Sequence, residues 1–219
     1  MEEIISSCIY CAIGCKLRYV LDKEKIVRVL PVMKDEVSEG RPCVKGLTIH
    51  EVVEKGRILK PMMREGNKLK EISWDKAFLL LYKILNKYSS GEVFFTGSGK
   101  IANEDNFVIQ KFARLVIHTN NIDNCCSRLC HMPTLVAFKD AFGIGASPGY
   151  LNEVRDLDCL LVIGSNPASN HPVLFNRIVD MKRRGGKLIV AAPLISETAD
   201  FADYLLKLFL VARFYFSIL

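Results

Sequence analysis

No basic segment followed by a long apolar stretch opens this chain, which begins Met1-Glu2-Glu3, so nothing in it reads as a secretory signal. The pattern G-x-x-x-x-G-K-[ST] is missing, which removes the P-loop nucleotide-binding proteins. Internal repeats and low-complexity tracts are missing too. There is no basic stripe matched to a nucleic-acid-binding motif. The net charge is +6, but the cations are spread along the chain. Their densest run, Lys182-Arg183-Arg184, ends a predicted helix, where positive charge complements the helix dipole. No nucleic-acid partner is therefore expected. Long hydrophobic runs are scarce. Tyr204 to Leu219 is nearly all apolar, yet it is too short, and too broken by Lys207 and Arg213, for a membrane span. It reads as a buried helix or strand awaiting a partner, or as a sequence that stops short of its natural end.

What is present is a globular composition: 219 residues, half of them hydrophobic and 25% charged, enough for one or two domains. The eight cysteines are unevenly placed. Cys8, Cys11, Cys15 and Cys43 follow C-x2-C-x3-C-x27-C, a spacing that suits four thiolates around one 4Fe–4S cluster. Paired cysteines also suit tetrahedral zinc, but the three-residue gap and the distant fourth cysteine favour the cluster. A disulfide framework ranks last, because the chain is far longer than small disulfide-stapled domains. Cysteines grouped in this way point to a reducing cytoplasm.

The first 58 residues read as a small β-rich cluster module. Lys16–Val20 and Lys25–Val29 alternate apolar and polar residues around Leu21-Asp22-Lys23-Glu24, which predicts a β-hairpin. From about Leu59 the pattern changes to alternating helices and strands. Ser73 is a helix N-cap, and Ala77, Phe78, Leu81, Ile84, Leu85 and Tyr88 follow helical spacing. A strand is predicted at Val93–Phe95, a helix from Glu104 to Ile117 and a buried strand at Cys159–Ile163. A helix over His171–Arg184, closed by Gly185-Gly186, and a second buried strand at Lys187–Ala192 follow. The fold class expected is α/β: the cluster domain (1–58), then an incomplete parallel-sheet, Rossmann-like domain (59–208) and an apolar tail (209–219).

Three further segments carry chemistry. Gly164-Ser165-Asn166-Pro167-Ala168 follows a strand and precedes a helix, where small residues let backbone N–H groups approach a phosphate. An ordinary tight turn is the equal alternative. Thr96-Gly97-Ser98-Gly99-Lys100 offers similar chemistry plus a cation, or else a loop with a solvated lysine. In Cys125-Cys126-Ser127-Arg128-Leu129-Cys130-His131-Met132-Pro133, Pro133 opens a helix, so that Cys130 and His131 sit at its N-terminus. Cys130 reads as a soft metal ligand and His131 as a proton carrier. Cys125, Cys126 and Cys159 read as small buried hydrophobes.

Taken together, these motifs resemble the N-terminal part of the molybdopterin oxidoreductases, most closely the catalytic subunit of formate dehydrogenases. CIYCAIGC with CVKG, NEDNFVIQKFARLVIHTNNID, CSRLCHMPT, GSNPASNHP and KRRGGKLIVAAPLISETADFAD occur in the family's order, from Cys8 to about Leu208. The resemblance implies that Cys8, Cys11, Cys15 and Cys43 hold a 4Fe–4S cluster and that Lys45 lies between cluster and pterin. It makes Cys130 the ligand to molybdenum or tungsten and His131 its active-site neighbour. Lys100 stands where relatives often have an arginine near the cofactor. Gly164, Asn166, Pro167 and Ala168 fall in a loop holding one guanine dinucleotide of a bis-molybdopterin cofactor. The implied reaction is interconversion of formate and carbon dioxide, with an iron–sulfur or flavin subunit as electron partner. Formylmethanofuran dehydrogenase is the second match, and an electron-transfer module without a metal–pterin site is the alternative. Two departures stand out. Ala192-Pro193-Leu194 replaces the family's usual Asp-Pro-Arg. The arginine that usually holds formate falls beyond the resemblance, so a truncated product, or a split subunit completed by a second chain, is expected.

Overall fold

The computed structural model describes residues 1–208; the part of the predicted tail from 209 to 219 lies outside the described residues. In chain order the elements are β1 (Glu2–Ser7), β2 (Lys16–Asp22), β3 (Lys25–Pro31), α1 (Val44–Leu47), α2 (Ile49–Glu54), β4 (Met62–Glu65) and β5 (Lys68–Glu71). Then come α3 (Trp74–Leu85), β6 (Phe95–Gly97), α4 (Asn103–Leu115), β7 (Ile122–Asn124) and α5 (Met132–Phe142). The last are β8 (Cys159–Ile163), α6 (Pro167–Asn170), α7 (Pro172–Arg183), β9 (Lys187–Ala192), α8 (Glu197–Asp200) and β10 (Tyr204–Lys207). The fold is α/β, a β-rich N-terminal region followed by parallel strands. Two compact units divide it: residues 1–57 with the segment from Gly149 onward, and Ile58–Pro148.

In the first unit, β1, β2 and β3 form an antiparallel meander. The predicted hairpin turns through Lys23 and Glu24, both at positive φ (46° and 68°), as a two-residue turn matched to strand twist requires. Leu17, Val29 and Ile49 form the core of this sheet. The parallel sheet has the order β10-β9-β8. Its centre is β9, where Leu188, Val190, Ala191 and Ala192 are buried, and Ile178 and Met181 of α7 complete the core. Burying each such large side chain stabilises the fold by about 1.5–3 kcal/mol. Gly185, at φ 96°, ends α7 in the left-handed conformation anticipated for it.

One expectation needs correction. Cys159–Ile163 is a strand, but it is not buried on both faces. Leu160 and Val162 pack inward while Cys159, Leu161 and Ile163 are exposed, because β8 is the edge strand and only one face is covered among the described residues. Cys159 is thus not the buried hydrophobe expected.

The second unit begins with the β4–β5 hairpin, which turns at Gly66 (φ 60°). The Ser73 hydroxyl caps α3, accepting the Lys76 N–H at 3.3 Å. The strand expected at Val93–Phe95 starts two residues later. Ser89 and Glu92 close a capping box that draws Ser90–Glu92 into a single 3-10 turn. β6 pairs in parallel with β7, and Phe95 meets Phe112 of α4 edge-on, with centroids 5.8 Å apart.

Candidate functional site

The ladder of the meander builds the first half of the site. Ser7 pairs with Lys16, and one rung further the Cys8 N–H donates to the Cys15 carbonyl at 2.8 Å. Cys8 and Cys15 therefore face each other across the open end of β1–β2, and the six-residue loop between them carries Cys11. Gly14 takes φ 87° in that loop, a conformation L side chains rarely adopt. Cys43 supplies the fourth thiol from the N-cap position of α1. All four line one cavity of about 90 Å³, along with Lys45 and Gly46. Gly46 has no room to spare: a Cβ there would lie 3.2 Å from Leu17 Cδ1 and 3.4 Å from Cys8 Sγ. All eight cysteines are free thiols. The Cys15 thiol is pushed up to about 11, first by burial, then by Asp35 and the other three cysteines. Four thiols around one void are the donor set a 4Fe–4S cluster takes, and the residues present fit that group.

Later parts of the chain complete the wall of this cavity: Asn170, Pro172 and Val173. Lys45 reaches the same segment, its Nζ donating to the Ser169 carbonyl at 2.8 Å. The predicted loop Gly164–Ala168 stands at the carboxyl end of β8, with Gly164 at φ 57°. Its polar groups are engaged locally. Asn166 Nδ2 donates to Glu197 at 2.7 Å, while the Thr198 hydroxyl donates to Asn166 Oδ1 at 2.7 Å. The Ala168 N–H donates to Thr198 Oγ1 at 3.0 Å, and Pro167 is buried. Glu197 is held below the usual carboxylate range chiefly by the Asn166 amide.

Sequence reading missed the polar network that fixes the loop leading to Cys43. Buried Asp35 accepts from the Lys16 N–H (3.2 Å), the Ser38 N–H (2.8 Å) and the Ser38 hydroxyl (2.6 Å). Burial alone would raise its pKa, but these bonds outweigh it and hold the carboxyl below its ordinary range. Arg177, on α7, is wholly buried, donating to the Val37 carbonyl at 2.6 Å and to Asn152 at 3.2 Å, with Glu39 at 3.5 Å. Arg155 and Arg41 also pair with Glu39, and its pKa is lowered first by the Arg155 hydrogen bond. Arg177 lies 140 residues from Val37, so no local pattern could have exposed the pair. The signal available was an arginine on an otherwise apolar helix face.

In the second unit, β7 leads into an irregular turn, Cys125–Leu129, in which Ser127 leaves helical geometry. The Asn124 side chain accepts the Cys126 N–H at 2.9 Å and donates to Asn106 Oδ1 at 3.1 Å. Asn106 in turn holds the glycine-rich loop, accepting the Ser98 N–H at 3.2 Å and donating to the Ser98 carbonyl at 3.0 Å. Cys130 is exposed and caps this turn; His131, also exposed, is the N-cap of α5, with proline in the helix's first turn as expected. Cys126 is exposed and Cys125 half-buried, which corrects the expectation of buried hydrophobes: both sit on a surface turn at a strand end. The Cys126 thiol is pushed up, first by its hydrogen bond with Cys125. Lys100 is exposed on the glycine-rich loop, and its N–H donates to Ser98 Oγ at 3.1 Å.

Among the described residues no helix is long and apolar enough to cross a membrane. Comparison with known proteins matches residues 57–207 to "Molybdopterin oxidoreductase" and residues 1–55 to "Molybdopterin oxidoreductase Fe4S4 domain". The chain is 41% identical over 209 residues to the F420-dependent formate dehydrogenase 1 subunit alpha of Methanococcus maripaludis, covering 95% of this chain and 31% of the relative. It is 38% identical over 215 residues to formate dehydrogenase H of Escherichia coli, covering 93% and 30%. Acetylene hydratase from Pelobacter acetylenicus shares the fold at TM-score 0.52 and 21% identity, over 92% of this chain and 29% of that one. The chain thus spans about 30% of the length of the curated relatives it matches.

Proposed function

We propose that this chain, which belongs to the molybdopterin oxidoreductase family, is the N-terminal portion of a formate dehydrogenase-type catalytic subunit. Its reaction would be formate oxidation to carbon dioxide with release of one proton and two electrons, or the reverse. The observation that carries this reading is the joining of two things: four thiols around one cavity, and near-complete coverage by formate dehydrogenase relatives.

Cys8, Cys11, Cys15 and Cys43 would hold a 4Fe–4S cluster, which supplies one-electron transfer when bound. Lys45 would keep a cation beside the cavity while tying α1 to the Ser169 segment. Cys130 would ligate molybdenum or tungsten, and His131 would hold or move the proton released from formate. The loop Gly164–Ala168, at the carboxyl end of a parallel strand, would carry one guanine dinucleotide of a bis-molybdopterin cofactor. Lys100 would add positive charge near that cofactor. Where the family usually has Asp-Pro-Arg, Ala192 is buried and Leu194 exposed, so neither offers the dinucleotide a charged group. An iron–sulfur or flavin subunit would accept the electrons. Cysteines grouped as metal ligands would suit a reducing compartment such as the cytoplasm.

Metal and pterin analysis after purification without oxygen tests the cofactor set. Iron with molybdenum or tungsten and pterin is expected. Iron alone would favour a plain electron relay, and stoichiometric zinc would overturn the cluster. Joined to the remainder of a relative's catalytic subunit, the protein should oxidise formate with an artificial acceptor. Cys130→Ala should then abolish turnover, and His131→Ala should slow it by roughly 10²–10⁴-fold.

A further inference from the structure

Two thiols in the second unit are left unused by this reading. Cys125 and Cys126 are adjacent in sequence, and their sulfurs are 3.8 Å apart. Two hydrogen bonds hold their surroundings. The Asn124 side chain fixes the Cys126 N–H, and the Gly99 N–H donates to Cys125 Sγ at 3.2 Å. Gly99 packs directly on the pair: a Cβ there would lie 2.2 Å from Cys126 Sγ and 3.4 Å from Cys125 Sγ. Only glycine leaves both sulfurs in place. Cys126 is open to solvent, and Cys125 is partly so.

That separation is close to the bite of a chelate. Two thiolates on one pyramidal trivalent arsenic, with bonds of about 2.3 Å and angles of about 95°, stand about 3.4 Å apart, a gap that a small side-chain rotation closes from 3.8 Å. A thiophilic centre that needs only two protein donors is served by this pair alone.

We propose that Cys125 and Cys126 form a two-thiol binding site for monosubstituted trivalent arsenicals. This site stands independently of the reaction proposed above. In the binding step an arsenoxide, R–As=O, meets two thiols. Two As–S bonds form and the As=O bond is lost. Both thiol protons leave with the oxygen as one water, and arsenic stays trivalent. The gain over a single thiol comes from the second sulfur being already at hand, at an effective concentration in the millimolar range or above.

Phenylarsine oxide, added to the reduced full chain without oxygen, is the probe. Peptide mapping by mass spectrometry should find one phenylarsenic group bridging Cys125 and Cys126. Both residues should be protected from iodoacetamide together, a measurement that needs no variant. Cys125→Ser and Cys126→Ser should each weaken binding at this segment by on the order of 10²-fold. Cys159→Ser should leave it unchanged. The site is overturned if the bridge instead joins Cys126 to Cys130, if Cys125 and Cys126 stay alkylatable in the arsenical's presence, or if either serine variant binds there as tightly as the parent.

Discussion

In the first unit, Ile178, Met181, Leu188 and Val190 are sealed from solvent at 1% exposure or less. In the second, the amphipathic helix α3 leaves Phe78, Leu81 and Ile84 exposed by 61%, 48% and 51%. Ala113 is the one hydrophobic residue of the second unit fully buried among the described residues. Both units show helical spacing of apolar residues, yet the apolar face of α3 has no cover among the described residues. Periodicity identifies a face; it does not identify the cover. Apolar surface on this scale marks an interaction site or an aggregation hazard. A hydrophobic dye should bind the exposed face of α3, and Phe78→Ser should lower that binding.

The comparison is sharpest at the cluster cavity. Cys43→Ser removes one of the four thiols proposed to hold the cluster, all of which line one cavity of the first unit. Iron should fall from about four per chain to a substoichiometric, labile content, measured by iron assay and visible absorbance. Hydrogen exchange should rise in residues 1–57 and around α7, and stay unchanged in Ile58–Pro148. Equal loosening of both would break the distinction between them.

Arg177→Met should come next, at about 3 kcal/mol, because the Val37 carbonyl and Glu39 lose a buried cationic partner. Denaturant unfolding followed by hydrogen exchange would read it. The same network carries a pH signature. Asp35 and Glu39 are held below their ordinary values, so the unfolded chain binds protons more readily than the folded one on acidification. Their stabilisation is complete above about pH 4–4.5 and is lost as pH falls through their folded-state values. The Arg177→Met variant should show a shallower acid transition, since Glu39 then has a weaker reason to stay ionised.

For the second unit, Ala113→Leu should cost about 1–3 kcal/mol by overpacking its buried position. Ser73→Ala should cost least, about 1 kcal/mol, through loss of the α3 cap. If that small change unfolded the whole second unit by circular dichroism, α3 would be far more central than its exposure suggests.

Local chemistry was legible in the sequence, and distant pairing was not. The hairpin β2–β3, the cap of α3, the proline that opens α5 and the glycine end of α7 follow from neighbouring residue types. β1 escaped notice because Glu2-Glu3-Ile4-Ile5-Ser6-Ser7 does not alternate. The run Lys182-Arg183-Arg184 has the pattern of a solvated helix end, and Arg183 and Arg184 are exposed. Lys182, however, bridges to Asp203 at 3.0 Å, a partner 21 residues away. Four cysteines announced themselves by spacing. The polar groups that hold their loop, Asp35, Glu39 and Arg177, carry no such mark, because their partners are carbonyls and amides that every sequence has.

The wall of the cluster cavity formed by Asn170, Pro172 and Val173 has a consequence for biosynthesis. The chain emerges from the ribosome in order, at about 5–20 residues per second. The last thiol, Cys43, is therefore made roughly 6–26 seconds before Val173 can join the wall beside it. During that interval the nascent thiols face the cell's iron delivery and its oxidants alike, with neither the wall nor the Arg177 clasp in place. The arrival of α7 narrows access to these thiols without sealing them, since Cys8, Cys11 and Cys43 stay partly exposed.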